Sequence, residues 1–150
     1  MEIGHFQKKL SKYKKATFDT MVLIYFIERH EQYVPLIREI FSKAVSGDMN
    51  YHLSVVSYME VMTGFYKMQD AMETEKACSF FKNYPAIHYE TITKDIADKG
   101  ARLRAEYGFK TPDALILATA LAYSVEVFIT NDTSFKTFTQ LPILYLGDYV

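Results

Sequence analysis

Four acidic residues occupy positions from which a folded chain could gather them: Asp19, Glu60, Asp113 and Asp132. Asp19 closes the short apolar run Ala16 to Phe18, and Asp132 follows the run VEVFIT at residues 125–130. Asp113 stands at the start of a long apolar stretch, and Glu60 lies inside V-V-S-Y-M-E-V-M. Carboxylates brought together repel one another, so they need a cation to stay charged together. Hard oxygen ligands suit Mg²⁺ or Mn²⁺. A divalent ion lowers the pKa of a bound water and neutralises a phosphodiester oxygen. Together these groups would form the apparatus for phosphodiester hydrolysis.

Each acid also has a plainer explanation. Asp19 suits the N-cap of a helix starting at residue 20. Asn131-Asp132 is a good turn pair. Asp113 in a first helical turn is favoured by the helix dipole. Glu60 either points to solvent between apolar stripes or is partly buried and needs a partner. No Lys or Arg lies within one helical turn of Glu60 to supply that partner.

The elements that must position these residues alternate between strand and helix. Strands are expected at 16–18, 50–53, 86–91, 125–130 and 143–146, each bounded by turn or cap residues. Helices are expected at 20–29, 33–45, 55–68, 71–83, 93–107 and 111–124. Gly47 and Gly108 stop two of them, while Ser54 and Thr93 cap two others. Thr111-Pro112 reads as a cap followed by Pro at the first helical position. Repeated alternation of this kind predicts an α/β fold with a parallel sheet covered on both faces. Sites in such sheets form at the carboxyl ends of the strands, where Asp19 and Asp132 stand.

Length and composition agree with one domain. The chain has 150 residues and 49 % hydrophobic residues, enough for a full core. The first fifteen residues are basic and polar with no apolar stretch behind them, so no secretory signal is expected. The longest apolar run, Ala114 to Tyr123, is too short to span a bilayer. Cys78 is the one cysteine, which excludes an internal disulfide and predicts a cytoplasmic protein. Its place in KACSFF suits a small buried apolar residue.

No phosphate-binding glycine loop, paired zinc-ligand spacing or nucleophile elbow is present. Net charge is −1, which does not by itself suggest nucleic acid. The charge is uneven, however: Lys8, Lys9, Lys12, Lys14 and Lys15 crowd the start against one acid, Glu2. They form either a solvated N-terminal arm or a patch that holds phosphates.

Four segments together resemble the PIN domain family, and within it the VapC-like toxins of toxin–antitoxin pairs. They are F-D-T-x-V-L-I-Y-F-I-E at 18–28, L-S-V-V-S-Y-M-E-V at 53–61, K-T-P-D-A-L-I-L-A-T-A at 110–120 and F-I-T-N-D-x-x-F at 128–135. The resemblance implies a three-layer α/β/α domain over residues 16–150 with a central five-stranded parallel sheet. Residues 1–15 are then a basic N-terminal extension. It implies an endoribonuclease dependent on Mg²⁺ or Mn²⁺, with Asp19, Glu60, Asp113 and Asp132 as catalytic and metal-binding acids. Thr20, Thr130 and Asn131 fall near the family's polar supporting positions. The partners implied are RNA, a second copy of the chain and a small antitoxin protein.

Two features depart from the family pattern. Met21 stands where many relatives carry Asn, and the lysine-rich leader precedes the first strand. A catalytically weak PIN-type RNA- or protein-binding module, a stand-alone RNA-processing nuclease and a DNA nuclease are the alternative readings. A phosphatase working through an aspartyl-phosphate suits Asp19, but Met21 stands where the second Asp of its D-x-D motif belongs.

Overall fold

A computed structural model describes residues 2–150. Five strands form one sheet: β1 (Lys15–Phe18), β2 (Asn50–Ser54), β3 (Ile87–Glu90), β4 (Val127–Thr130) and β5 (Ile143–Tyr145). Their order is β3-β2-β1-β4-β5, with every pairing parallel. Seven α-helices accompany them: α1 (Ile3–Leu10), α2 (Thr20–Glu28), α3 (Val34–Ser46), α4 (Val55–Met68), α5 (Ala71–Asn83), α6 (Lys94–Tyr107) and α7 (Thr111–Ala122). Two 3-10 turns, Thr133–Thr137 and Leu146–Tyr149, complete the described residues. No helix among these residues is long and apolar enough to cross a membrane.

The alternation of side chains along β4 separates the two helical layers. Val127 and Ile129 join the core that includes Phe18 and Tyr51 from β1 and β2 and Leu36, Ile40 and Phe41 from α3. Phe128 faces the opposite way, into a core with Leu103 of α6 and Ile116 and Leu117 of α7. A parallel sheet buried on both faces needs strands that read as nearly continuous apolar runs. The sequence VFIT is buried at every position.

Local chemistry sets the helix ends. Ser54 caps α4 by accepting from the Val56 amide, and Thr93 caps α6 by accepting from the Ile96 amide. Gly47 and Gly108 end α3 and α6 in the left-handed region, as their lack of a Cβ allows. At α7 the expected cap is displaced by one residue. Lys110 is the N-cap, so Thr111 and Pro112 lie inside the first turn and Thr111 makes no capping bond. Pro112 remains in a turn where its missing N–H costs nothing.

The N-terminal residues differ from a solvated arm. Ile3, Phe6 and Leu10 recur at helical spacing, and Phe6 and Leu10 are fully buried. The lysines between them hide this stripe in the sequence. Helix α1 packs on α3 and on the C-terminal 3-10 turn, where the Phe6 and Tyr149 rings meet edge to face at 5.1 Å. The Tyr149 carbonyl accepts from the Glu2 amide at 2.8 Å. The chain then turns through Lys12 and Lys14 into the beginning of β1. These lysines therefore stand at the opposite end of that strand from Asp19.

Candidate active site

Asp19 is the first residue beyond β1, between β2 and β4 in the sheet order. Its amide donates to the Ile129 carbonyl at 3.2 Å, which extends the ladder one residue past the strand. Helix α2 begins immediately after it. Asp19 occupies the N-cap position, yet its side chain makes no capping hydrogen bond. The capping explanation therefore does not account for the carboxylate, which is only 6 % exposed. Thr130 donates its hydroxyl to Oδ2, while Oδ1 is buried with no hydrogen-bond partner.

Burial pushes the Asp19 carboxyl up to about 6, against the lowering effects of the Thr130 hydroxyl and of the Val22 amide in the first turn of α2, although that amide is not placed to make a capping bond. The negative charges of Asp132 and Asp113 push in the same direction as burial. Among the described residues no lysine, arginine or histidine forms an ion pair with Asp19. A buried carboxylate surrounded by acids and lacking a cation is an electrostatic cost in the folded protein.

The other three acids approach from different elements. Asp113 is in the first turn of α7 and is half-buried. Burial raises its pKa, the charges of Asp132 and Glu60 add to this, and Lys110 opposes it. Asp132 follows β4 and caps the 3-10 turn, with Oδ1 accepting from the Ser134 amide at 2.9 Å. The turn explanation thus holds for one of its oxygens. The Asp132 amide donates to the Thr130 hydroxyl at 3.0 Å, so Thr130 links Asp19 and Asp132.

Glu60, on α4, is exposed, as are its neighbours Tyr58 and Met59. The apolar surroundings in its sequence therefore do not bury it. Its carboxylate is nevertheless anchored: Thr20 donates to Oε1 at 2.7 Å. Thr20 follows Asp19 directly and also lies 3.3 Å from the hydroxyl of Ser57.

The acids share one end of the sheet and feel one another's charge. As they stand, no three carboxylate, imidazole or thiol groups among the described residues form a group able to hold a metal ion. The donors themselves suit one. All four are hard oxygens, and the unpartnered Oδ1 of Asp19 lacks a positive partner.

A model of the PIN domain matches residues 16–140. The chain belongs to the PIN domain family. The matched span contains all four acids and Thr20, Thr130 and Asn131. Among solved structures, a chain of a toxin–antitoxin complex from Klebsiella pneumoniae is 31 % identical, with a TM-score of 0.63. The alignment covers 87 % of this chain and 97 % of that one. VapBC2 from Rickettsia felis, bound to a DNA fragment from its promoter, is 18 % identical with a TM-score of 0.69. That alignment covers 87 % of this chain and 98 % of the other. FitAcB from Neisseria gonorrhoeae is 17 % identical with a TM-score of 0.67, over 88 % of this chain and 98 % of the other. Comparison with curated proteins finds no match. The five-stranded parallel sheet with helices on both faces is the PIN-like α/β/α architecture.

Sequence reasoning overlooked several groups around this PIN site. Ser57 is fully buried, one helical turn before Glu60 on the same face of α4. Tyr145 is paired with Thr130 across β4 and β5, and its hydroxyl is buried without a partner. Burial raises the Tyr145 pKa, with the charges of Asp132 and Asp148 adding to the effect. The spacing of Ser57 and Glu60 was a usable signal. Tyr145 had none, because only the strand register brings it beside Thr130.

Proposed function

We propose that this PIN domain protein is a metal-dependent endoribonuclease and the toxin of a toxin–antitoxin pair. One observation carries the proposal. Asp19 is a buried, acid-surrounded carboxylate with one unpartnered oxygen and no ion-pair partner among the described residues. A divalent cation, Mg²⁺ or Mn²⁺, relieves that cost and suits the oxygen donors. Asp19, Glu60, Asp113 and Asp132 would hold it. Glu60 is exposed and Asp113 and Asp132 are partly exposed, so an ion can reach their carboxylates from solvent.

Bound there, the ion would supply an acidic water and neutralise charge on a phosphodiester. The protein's part is positioning. Thr130 fixes the Asp19 carboxylate and the loop that starts Asp132. Thr20 fixes Glu60 against α2. Asn131 supports Asp132 from the adjoining position. Met21 offers no hydrogen bond to the acids, so that supporting work falls on the threonines.

The partners proposed are RNA, a second copy of this chain and a small antitoxin. The similar solved structures include a toxin–antitoxin complex, which supports the antitoxin. The exposed apolar side chains Met59, Tyr66, Met68 and Met72 on α4 and α5 also favour a macromolecular partner. With one cysteine and no need of a disulfide, the protein suits the cytoplasm.

Matched single-stranded RNA and DNA of one sequence, incubated with purified protein and Mn²⁺, test the substrate. RNA is expected to be cut and DNA left intact. Cutting of the DNA alone would contradict the reading.

A further inference from the structure

The loop that carries Asp132 is held from two sides through its neighbour Asn131. Asn131 donates from Nδ2 to the Tyr33 hydroxyl at 2.9 Å. Its Oδ1 accepts from the Gly147 amide, also at 2.9 Å. A short side chain has thus both ends of its amide committed, which fixes its rotamer and orientation.

Each partner is itself held. Tyr33 is buried at the start of α3, and its ring stacks on Tyr25 of α2 at 5.0 Å with a 4° interplanar angle. Gly147 lies in the C-terminal 3-10 turn. A Cβ at residue 147 would stand 3.0 Å from Asn131 Oδ1, so the close approach depends on glycine. That turn ends at Tyr149, which carries α1 through the Glu2 amide and the Phe6 ring. Both α1 and this turn lie outside residues 16–140, the span that matches the family.

We infer that Tyr33 and Gly147 clamp Asn131 and thereby position Asp132, with α1 bracing the C-terminal half of the clamp. Tyr33 is a positioning residue acting through Asn131. The inference rests on reading Asp132 as part of the acidic site. Groups that fix a ligand without touching the metal typically change affinity or rate by about 10-fold or more when removed.

Tyr33→Phe is the direct test, because it deletes the hydroxyl and keeps the stacked ring. Amide hydrogen exchange on the metal-free protein reads the loop. The Asp132 amide donates to Thr130, and the Ser134 amide donates to Asp132. Both are expected to exchange about 10-fold faster in the variant, with the core strands unchanged. Mn²⁺ affinity by calorimetry and kcat on RNA are each expected to fall about 10-fold, with KM unchanged. Tyr84→Phe is the control: it removes a hydroxyl that donates to the Phe41 carbonyl at 3.4 Å, away from the acids. It is expected to leave exchange at residues 132 and 134, Mn²⁺ affinity and kcat as they are. Gly147→Ala should act in the same direction as Tyr33→Phe. If it does not fold, Tyr33→Phe still decides.

Unchanged exchange at residues 132 and 134 in Tyr33→Phe would overturn the clamp, even if the wild type cuts RNA. Faster exchange there in a protein whose wild type cuts no RNA would support the clamp and remove the nuclease reading. An equal loss of Mn²⁺ affinity in Tyr84→Phe would also overturn it.

Discussion

Burial and the charges of Asp132 and Asp113 hold the Asp19 carboxyl at about 6, against a usual value of 3.8. The sign of the consequence follows from proton binding. Between these two values the folded state holds a proton that the unfolded state has released, so stability falls as pH rises through that window. The loss is complete above about 6 and amounts to about 3 kcal/mol at most. Asp113, whose pKa is also raised, pulls the same way. Asp19→Asn should therefore stabilise the metal-free protein at pH 8 and leave it nearly unchanged at pH 4. Urea unfolding in a chelator at the two pH values checks this. Equal stabilisation at both would show that the Asp19 charge is not the cost. At this scale the sequence was ambiguous for a physical reason. An Asp after a strand looks the same whether it caps a helix or faces a ligand, and only the absent capping bond distinguishes them. For Asp132 both descriptions are true, one oxygen being used in the turn.

Elements were more legible than residues wherever a cap coincided with a change of hydrophobic period. Ser54 and Thr93 mark α4 and α6 within a residue, and the alternation of strands and helices specifies the layers. Helix α1 escaped notice because eight residues carry too few apolar positions to stand out among lysines. What makes it a helix is tertiary: Phe6 and Leu10 find a surface on α3 and Tyr149. Phe6→Ala is expected to cost about 3 to 5 kcal/mol, as for other large core truncations. Urea unfolding monitored by circular dichroism measures it, and a cost within experimental error would show that α1 is an appendage. The order β3-β2-β1-β4-β5 was not readable from spacing, since the pairing of β1 with β4 spans most of the chain. That pairing is what brings Thr130 to Asp19.

On the scale of the whole molecule, the lysine-bearing turn before β1 and a cavity among the helices both lie away from the acids. A cavity of about 770 Å³ opens between α2, α3 and α5, with Phe26, Ile37 and Phe80 inside and Arg29 and Arg38 exposed at its edge. Lys12 and Lys14, in the turn after α1, stand at the far end of β1 from Asp19, whereas Lys9 of α1 reaches the Tyr149 ring at the other end. Lys12 is exposed and without an ion-pair partner among the described residues. A charge that far from the reacting bond acts through the general field, which salt screens. Lys12→Glu should change kcat/KM on a short RNA by less than about threefold at physiological salt. A tenfold loss in initial-rate measurements would mean that RNA reaches the turn before β1.

Four acids at one end of the sheet are proposed to hold a divalent ion that cleaves RNA. The most direct test is one assay: cleavage of labelled single-stranded RNA by wild type and by Asp19→Asn, each with Mn²⁺ and with chelator. Cleavage by the wild type with Mn²⁺ alone, with Asp19→Asn folded but inactive in both conditions, is the predicted result. Undiminished cleavage by Asp19→Asn, or by the wild type in chelator, would contradict a metal-dependent role for these acids.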